Sequence, residues 1–435
     1  MGAFRKLGLF LVAGVALYAP SIAEAADVEV PANSWTGWHA GAGAGFGMVN
    51  HHLDLDLVGL EASLDGIGGE GALGTIEAGY DFELGSDFVL GGLVDYTFSG
   101  ISTDLDTNFF GADLNYELEA THQVSALVRF GHLANDTTLM YSLAGYTHTW
   151  WNGDLDITGL GGTSYDYSTD GLTLGGGIEN VIANNITLKL EHRMTFNDTQ
   201  NIIEIPGLFD LDEKAHVQTA RLVLSYRPGM QAAAPDGSET QWTGFHIGAG
   251  FGYSMLNHVL DLDAAPFASV EFSGIGGEGL LGTVEAGADM LLGERFVAGV
   301  QGGFTLSGAK TTADLTAPGF DADYELAAAH SFDVLARAGI LTGSDVLWYG
   351  LAGWTRTKFE GDLGINGTSV ASYDYDLDGL TVGGGVEVML TDNLSWKTEY
   401  RYTDYESVNI IDFGGSGLDA LTNQQSVRSV LSLRF

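Results

Sequence analysis

Apolar and polar residues alternate with a period of two along most of this chain, in segments of about ten residues with aromatics near their ends. Helical periodicity is nearly absent. In the first half the alternation predicts strands near 35–48, 72–84, 87–99, 120–133, 137–150, 171–182, 186–197 and 217–227. Three connections are tight (Glu83–Asp87, Ala134–Asp136 and Ala183–Asn185), and four are long, near 49–71, 100–119, 151–170 and 198–216. Long loops on one side and short turns on the other predict an all-β fold, a transmembrane antiparallel up-and-down β-barrel. The barrel has to be closed, because an unpaired backbone group in hydrocarbon costs several kcal/mol. Parity then assigns the faces. Ile76, Ala78, Tyr80, Phe82 and Leu84 are expected toward lipid and Thr75, Glu77, Gly79 and Asp81 toward the lumen; Leu188, Leu190 and Met194 likewise oppose Lys189, Glu191 and Arg193.

The whole pattern occurs twice, offset by 207 to 208 positions. GIGGEG at Gly66–Gly71 returns at Gly274–Gly279, and DGLTLGGGIE at Asp170–Glu179 returns as DGLTVGGGVE at Asp378–Glu387. A period this long means that each copy is a domain or half of one. The expected organisation is a signal peptide at 1–25, a leader at 26–34, barrel repeats at 35–227 and 242–435, and a periplasmic linker at 228–241. The signal peptide rests on Arg5 and Lys6, an apolar run from Leu7 to Ala19, and the small-x-small site Ala23-Glu24-Ala25. Its apolar run is too short to span a bilayer.

Composition narrows the function. The net charge of −40 excludes a simple nucleic-acid binder. An exported chain with no Cys uses neither disulfides nor thiolate metal sites. Much of the acid falls between predicted strands, as in Asp104, Asp106, Asp113, Glu117 and Glu119, and reads as solvated loops able to attract cations or basic partners. Asp54-Leu55-Asp56 reads instead as a strand running on into water.

The openings WTGWHAGAGAGFG, from Trp35, and WTGFHIGAGFGY, from Trp242, resemble the Gram-negative outer-membrane β-barrel family of small porin-like immunogenic proteins related to OmpA-type barrels. Family members correspond to one copy with eight strands; this chain carries two. The resemblance implies outer-membrane localisation and identifies architecture better than function. The ending, with Val427, Leu431, Leu433 and Phe435 on one parity, resembles the signal read by the outer-membrane assembly machinery.

The inward parity holds a repeated set of charges. Glu77, Asp81, Glu179 and Glu191 with Arg129, Lys189, Arg193 and Arg221 in the first copy match Glu285, Asp289, Glu387 and Glu399 with Arg337, Lys397, Arg401 and Arg428 in the second. Charges in a narrow lumen must pair, since desolvation is otherwise prohibitive. An eight-stranded barrel is just wide enough for side chains to fill, and the inward glycines Gly41, Gly43, Gly45 and Gly47 leave room for long ones. A salt-bridged plug is therefore favoured over a conducting lumen.

No cofactor, metal site, catalytic set or nucleic-acid partner is expected. GAGAGFG lacks the strand–turn–helix context of a dinucleotide site, and the His51-His52 pair is not kept in the second copy. Two tandem eight-stranded barrels are favoured over one sixteen-stranded barrel, because each copy's charges balance and the linker is longer than the other turns. The expected function is a structural or surface-interaction role. Its partners would be outer-membrane lipid, lipopolysaccharide, the assembly machinery and host or surface ligands. The alternatives are a sixteen-stranded diffusion porin and, more remotely, a lipid-modifying barrel enzyme.

Overall fold

A computed structural model describes residues 33–435 apart from 59, 110–111, 159–160, 206–207, 234–238, 265–267 and 413–416. The expected signal peptide and the leader up to residue 32 lie outside the described residues. The first copy forms β1 (Gly37–Leu57), β2 (Leu60–Leu84), β3 (Phe88–Phe109), β4 (Ala112–Asn135), β5 (Thr138–Ile157), β6 (Gly161–Ala183), β7 (Ile186–Asn197), β8 (Gln200–Ile205) and β9 (Phe209–Tyr226). The second forms β10 (Gly244–Ala264), β11 (Ala268–Leu292), β12 (Phe296–Ser307), β13 (Lys310–Ala317), β14 (Phe320–Thr342), β15 (Val346–Ile365), β16 (Thr368–Thr391), β17 (Leu394–Tyr405), β18 (Val408–Asp412) and β19 (Gly417–Arg434).

The register gives the closure. β1 pairs with β2 on one side and with β9 on the other, Gly45 standing opposite Arg221. β10 pairs likewise with β11 and β19, Gly252 standing opposite Arg428. Among the described residues each copy thus forms its own antiparallel ring of eight strands, with β8, β13 and β18 continuing the lines of β7, β12 and β17. The tight turns lie at one end. Gly85 and its repeat Gly293 both sit at φ 73°, a left-handed conformation that glycine adopts without steric penalty.

The other end differs from the expectation of long loops. β1 and β2 stay paired from Gly37↔Asp81 to Leu57↔Leu60, so the expected loop 49–71 is mostly an antiparallel ribbon. Its alternating apolar and acidic residues favour a pleated strand as well in water as in lipid.

These ribbons join the rings. β2 pairs with β13, from Thr312↔Asp65 to Thr316↔Glu61, and β3 pairs with β11, from Ala268↔Phe109 to Phe272↔Leu105. Leu64↔Ala313 and Leu105↔Phe272 are the same contact with the two copies exchanged, so the seam is isologous, as in a symmetric dimer. Gly68 and Gly276, matching positions of the GIGGEG motif, meet there. A Cβ on Gly276 would lie 2.9 Å from the Gly68 Cα and amide nitrogen, so a side chain would force the rings apart. Nearer the turn end, Ile178, Val346, Val386 and Val388 are buried in the seam, flanked by Leu190 and Trp396. This explains why the apolar face of β7 is half-buried, whereas Ile76, Phe82 and Leu172 on free faces are exposed.

Residues 242–435 expressed alone are expected to fold in detergent as a heat-modifiable barrel, read as a gel-mobility shift on boiling. Fragment 33–231 is expected to associate with it, and Gly276→Val to abolish that association without unfolding either fragment.

Candidate functional site

Four layers fill each ring. At the turn end Trp35, Val89, Leu93, Leu127, Leu139, Leu143, Val181 and Met230 form an apolar floor, with Met230 supplied by the linker. At the other end Val49, Leu73, Ile101, Leu118, Trp151 and Val217 form a roof. The second ring repeats both, the floor around Trp242, Val297, Leu335 and Leu347 and the roof around Leu256, Leu326, Phe359 and Tyr405.

Above the floor lies the charge layer. All sixteen predicted lumen charges are in it, and none is more than 7% exposed. Arg129 donates from Nε to Asp81 Oδ1 at 2.8 Å and from Nη2 to Asp81 Oδ2 at 2.5 Å, and its Nη1 reaches Glu179 at 2.7 Å. This two-pronged pairing, which lysine cannot reproduce, is the strong form of an Arg–carboxylate contact. Lys189 donates to Glu77. Arg193 bridges Glu191 and Asp95, both at 2.6 Å, and Arg221 approaches Asp95 at 3.6 Å. In the second ring Arg337 binds Asp289 and Glu387, Lys397 binds Glu285, and Arg401 binds Glu399 at 2.6 Å and Asp333 at 3.1 Å. Arg428 donates to Ser426 at 3.0 Å. Tyr141 and Tyr349 each close the network with a 2.6 Å hydrogen bond to Glu191 or Glu399.

Four charged members were not in the predicted set. Arg227 and Arg434 lie over the Trp35 and Trp242 rings at 4.9 Å and pair with Asp81 and Asp289 at 2.5 and 2.6 Å. Both occupy the inward parity of a last strand, which was the available signal. Asp95 and Asp333 are not repeats of each other. Gly303 stands where a repeat of Asp95 would be, directly across the ladder from Asp333, while Asp95 stands across from Ser125. The carboxylate has moved to the neighbouring strand and kept its arginine. Among the described residues, five acids and five bases then balance in each charge layer, and Glu213, buried nearer the roof of the first ring, pairs with His51 at 2.6 Å. Between charge layer and roof runs a hydroxyl belt, in which Thr147 contacts Thr173 at 2.5 Å and Thr173 contacts Thr195 at 2.8 Å; Thr355, Thr381 and Thr403 repeat it.

Of the expected assembly signal, Leu431, Leu433 and Phe435 are exposed on the outer face at 42%, 43% and 74%. Val427, on the same parity, is buried, because the seam against the first ring, around Leu190 and Ala220, covers it.

A family model described as outer membrane protein beta-barrel domain matches twice, over residues 8–227 and 228–435. The chain belongs to this family. It is an outer-membrane β-barrel protein of the Gram-negative type. It is 29% identical over 227 residues to the 31 kDa outer-membrane immunogenic proteins of Brucella melitensis biotype 1 and Brucella suis biovar 1, covering 50% of this chain and 92% of theirs. Solved structures with similarity include the attachment invasion locus protein Ail of Yersinia pestis, at 15% identity and TM-score 0.21, over 43% of this chain and 99% of that one. A Pseudomonas aeruginosa FadL homologue aligns at 10% identity and TM-score 0.27, over 92% and 90%.

Removing one partner of a buried ion pair strands the other. Arg129→Met is therefore expected to destabilise the first ring by about 3–5 kcal/mol, measured as a shifted urea midpoint in lipid. Asp95→Gly is expected to be destabilising, and adding Ser125→Asp, which copies the second ring's arrangement, to recover most of the loss.

Proposed function

We propose that this protein is a non-conducting outer-membrane scaffold, whose two plugged barrels hold acidic ribbons at the cell surface in a structural or interaction role. The observation that carries the reading is the lumen. Arg129, Asp81, Glu179, Lys189 and Glu77 have side chains with 0% exposure, between an apolar floor and an apolar roof. A permeating ion would have to break these buried pairs, and burying an unpaired charge costs several kcal/mol. A sixteen-stranded diffusion porin would need β9 to pair with β10, whereas β9 pairs with β1.

The ribbons carry exposed acids such as Asp154, Asp156, Asp166, Asp374 and Glu360, with tyrosines stacked along them; the Tyr165 and Tyr167 ring centroids are 6.3 Å apart, and those of Tyr373 and Tyr375 are 6.2 Å apart. Such a surface suits divalent cations, basic partners and the cation-bridged headgroups of lipopolysaccharide. Host or surface ligands of basic character are the partners this reading favours. The lipid-facing Leu431, Leu433 and Phe435 are the residues it offers to the assembly machinery.

Planar-bilayer recording of the purified protein is expected to give no large, stable single-channel steps. Regular steps of porin size would overturn the plug.

A further inference from the structure

The seam has one feature that its symmetry does not account for. The glutamate of each GIGGEG motif, Glu70 or Glu278, points into it. Glu70 meets neutral groups of the second ring, Tyr402 at 3.4 Å and Asn423 at 3.3 Å. Glu278 meets two imidazoles of the first ring. His216 Nδ1 lies 2.6 Å from Glu278 Oε1, His52 Nε2 lies 3.5 Å from the same oxygen, and His52 Nε2 lies 3.1 Å from His216 Nδ1. At the exchanged positions, offset by 207, the second copy has Val259 and Asn423, so the cluster exists on one side only.

We propose that His52, His216 and Glu278 form a site for a divalent transition metal of zinc type that clamps the two barrels together. Three borderline ligands of this kind, two imidazoles and a carboxylate, suit zinc. Ligands about 2.0–2.2 Å from a tetrahedral ion stand roughly 3.3 Å apart, close to the separations found here, so metal entry needs shifts of less than about an ångström. A supporting residue is also in place. His52 Nδ1 lies 2.9 Å from Asp65 Oδ1, the carboxylate–histidine arrangement that fixes a metal-binding ring and raises its basicity. Two polar atoms of the cluster, His216 Nε2 and Glu278 Oε2, are buried without a hydrogen-bond partner among the described residues. Glu278 lies beyond the exposed, lipid-facing Leu280, near the outer rim.

The site lies outside both lumens, so it stands whether or not the barrels conduct.

The test is Co²⁺ and Zn²⁺ titration of the full chain refolded in detergent. Expected are one tight site per chain, the visible absorption of tetrahedral Co²⁺, and its displacement by Zn²⁺. His52→Asn or His216→Asn is expected to abolish the absorption band, and Asp65→Asn to weaken binding about 10- to 100-fold. Heat modifiability checks that each variant folds. Absence of the band in the unaltered protein, or a band that survives both histidine substitutions because acidic ribbons or other histidines bind the metal, would overturn the proposal.

Discussion

Ten charged side chains buried in a layer between an apolar floor and an apolar roof can persist only if their charges cancel locally, and most of this protein follows from that constraint. Most arginines of the layer have a carboxylate within hydrogen-bond reach, while Arg221 stands 3.6 Å from Asp95 and Arg428 donates to Ser426, and the carboxylates need their remaining lone pairs filled. The hydroxyl and tyrosine donors around the layer serve that purpose. The apolar floor and roof keep water out and so keep the pairs strong. Because the cancellation is complete within one copy, neither ring depends on the other for its interior. The relocation of one carboxylate from Asp95 in β3 to Asp333 in β14 shows what is maintained: the position of the negative charge beside Arg193 or Arg401, rather than the strand that supplies it.

A second constraint acts outside the rings. Two barrels side by side need backbones that approach closely where ribbons cross, and Gly68 against Gly276 provides that approach. The geometry is that of a symmetric dimer, but both halves lie on one chain. Fusion releases the halves from identity. One glutamate of the pair can then face neutral amide and phenol groups while the other faces two histidines, an asymmetry that a homodimer of either copy would lack.

Much of this was legible in the sequence, for reasons of periodicity. Strand parity separates lumen from lipid with no tertiary knowledge, and the repeat retained the sixteen lumen charges. The same repeat concealed others. Asp95 has no repeat, because in the second copy its carboxylate is supplied by Asp333 on another strand. Arg227 and Arg434 were overlooked at strand ends. Strand lengths were underestimated because acidic residues in alternation look like loops until their ribbons find partners. The GIGGEG motif was visible as a repeat but not as a seam, since its partner is a copy of itself more than two hundred residues away. His52, His216 and Glu278 meet only across that seam, which no spacing within one copy reveals.

Each copy closes on itself, and cysteine pairs in this cysteine-free chain test that closure. Ala42 and Leu224 stand opposite each other between β1 and β9 on the outer face. Opposed antiparallel residues have Cα atoms about 4.5–5.5 Å apart, within disulfide range. Ala249 is the repeat of Ala42 and would be the partner of Leu224 in a single large barrel. Oxidation of the folded Ala42→Cys/Leu224→Cys variant, followed by peptide mapping, should yield the disulfide, and Leu224→Cys/Ala249→Cys should not. The opposite result, linkage only between positions 224 and 249, would mean that the two copies share one large barrel.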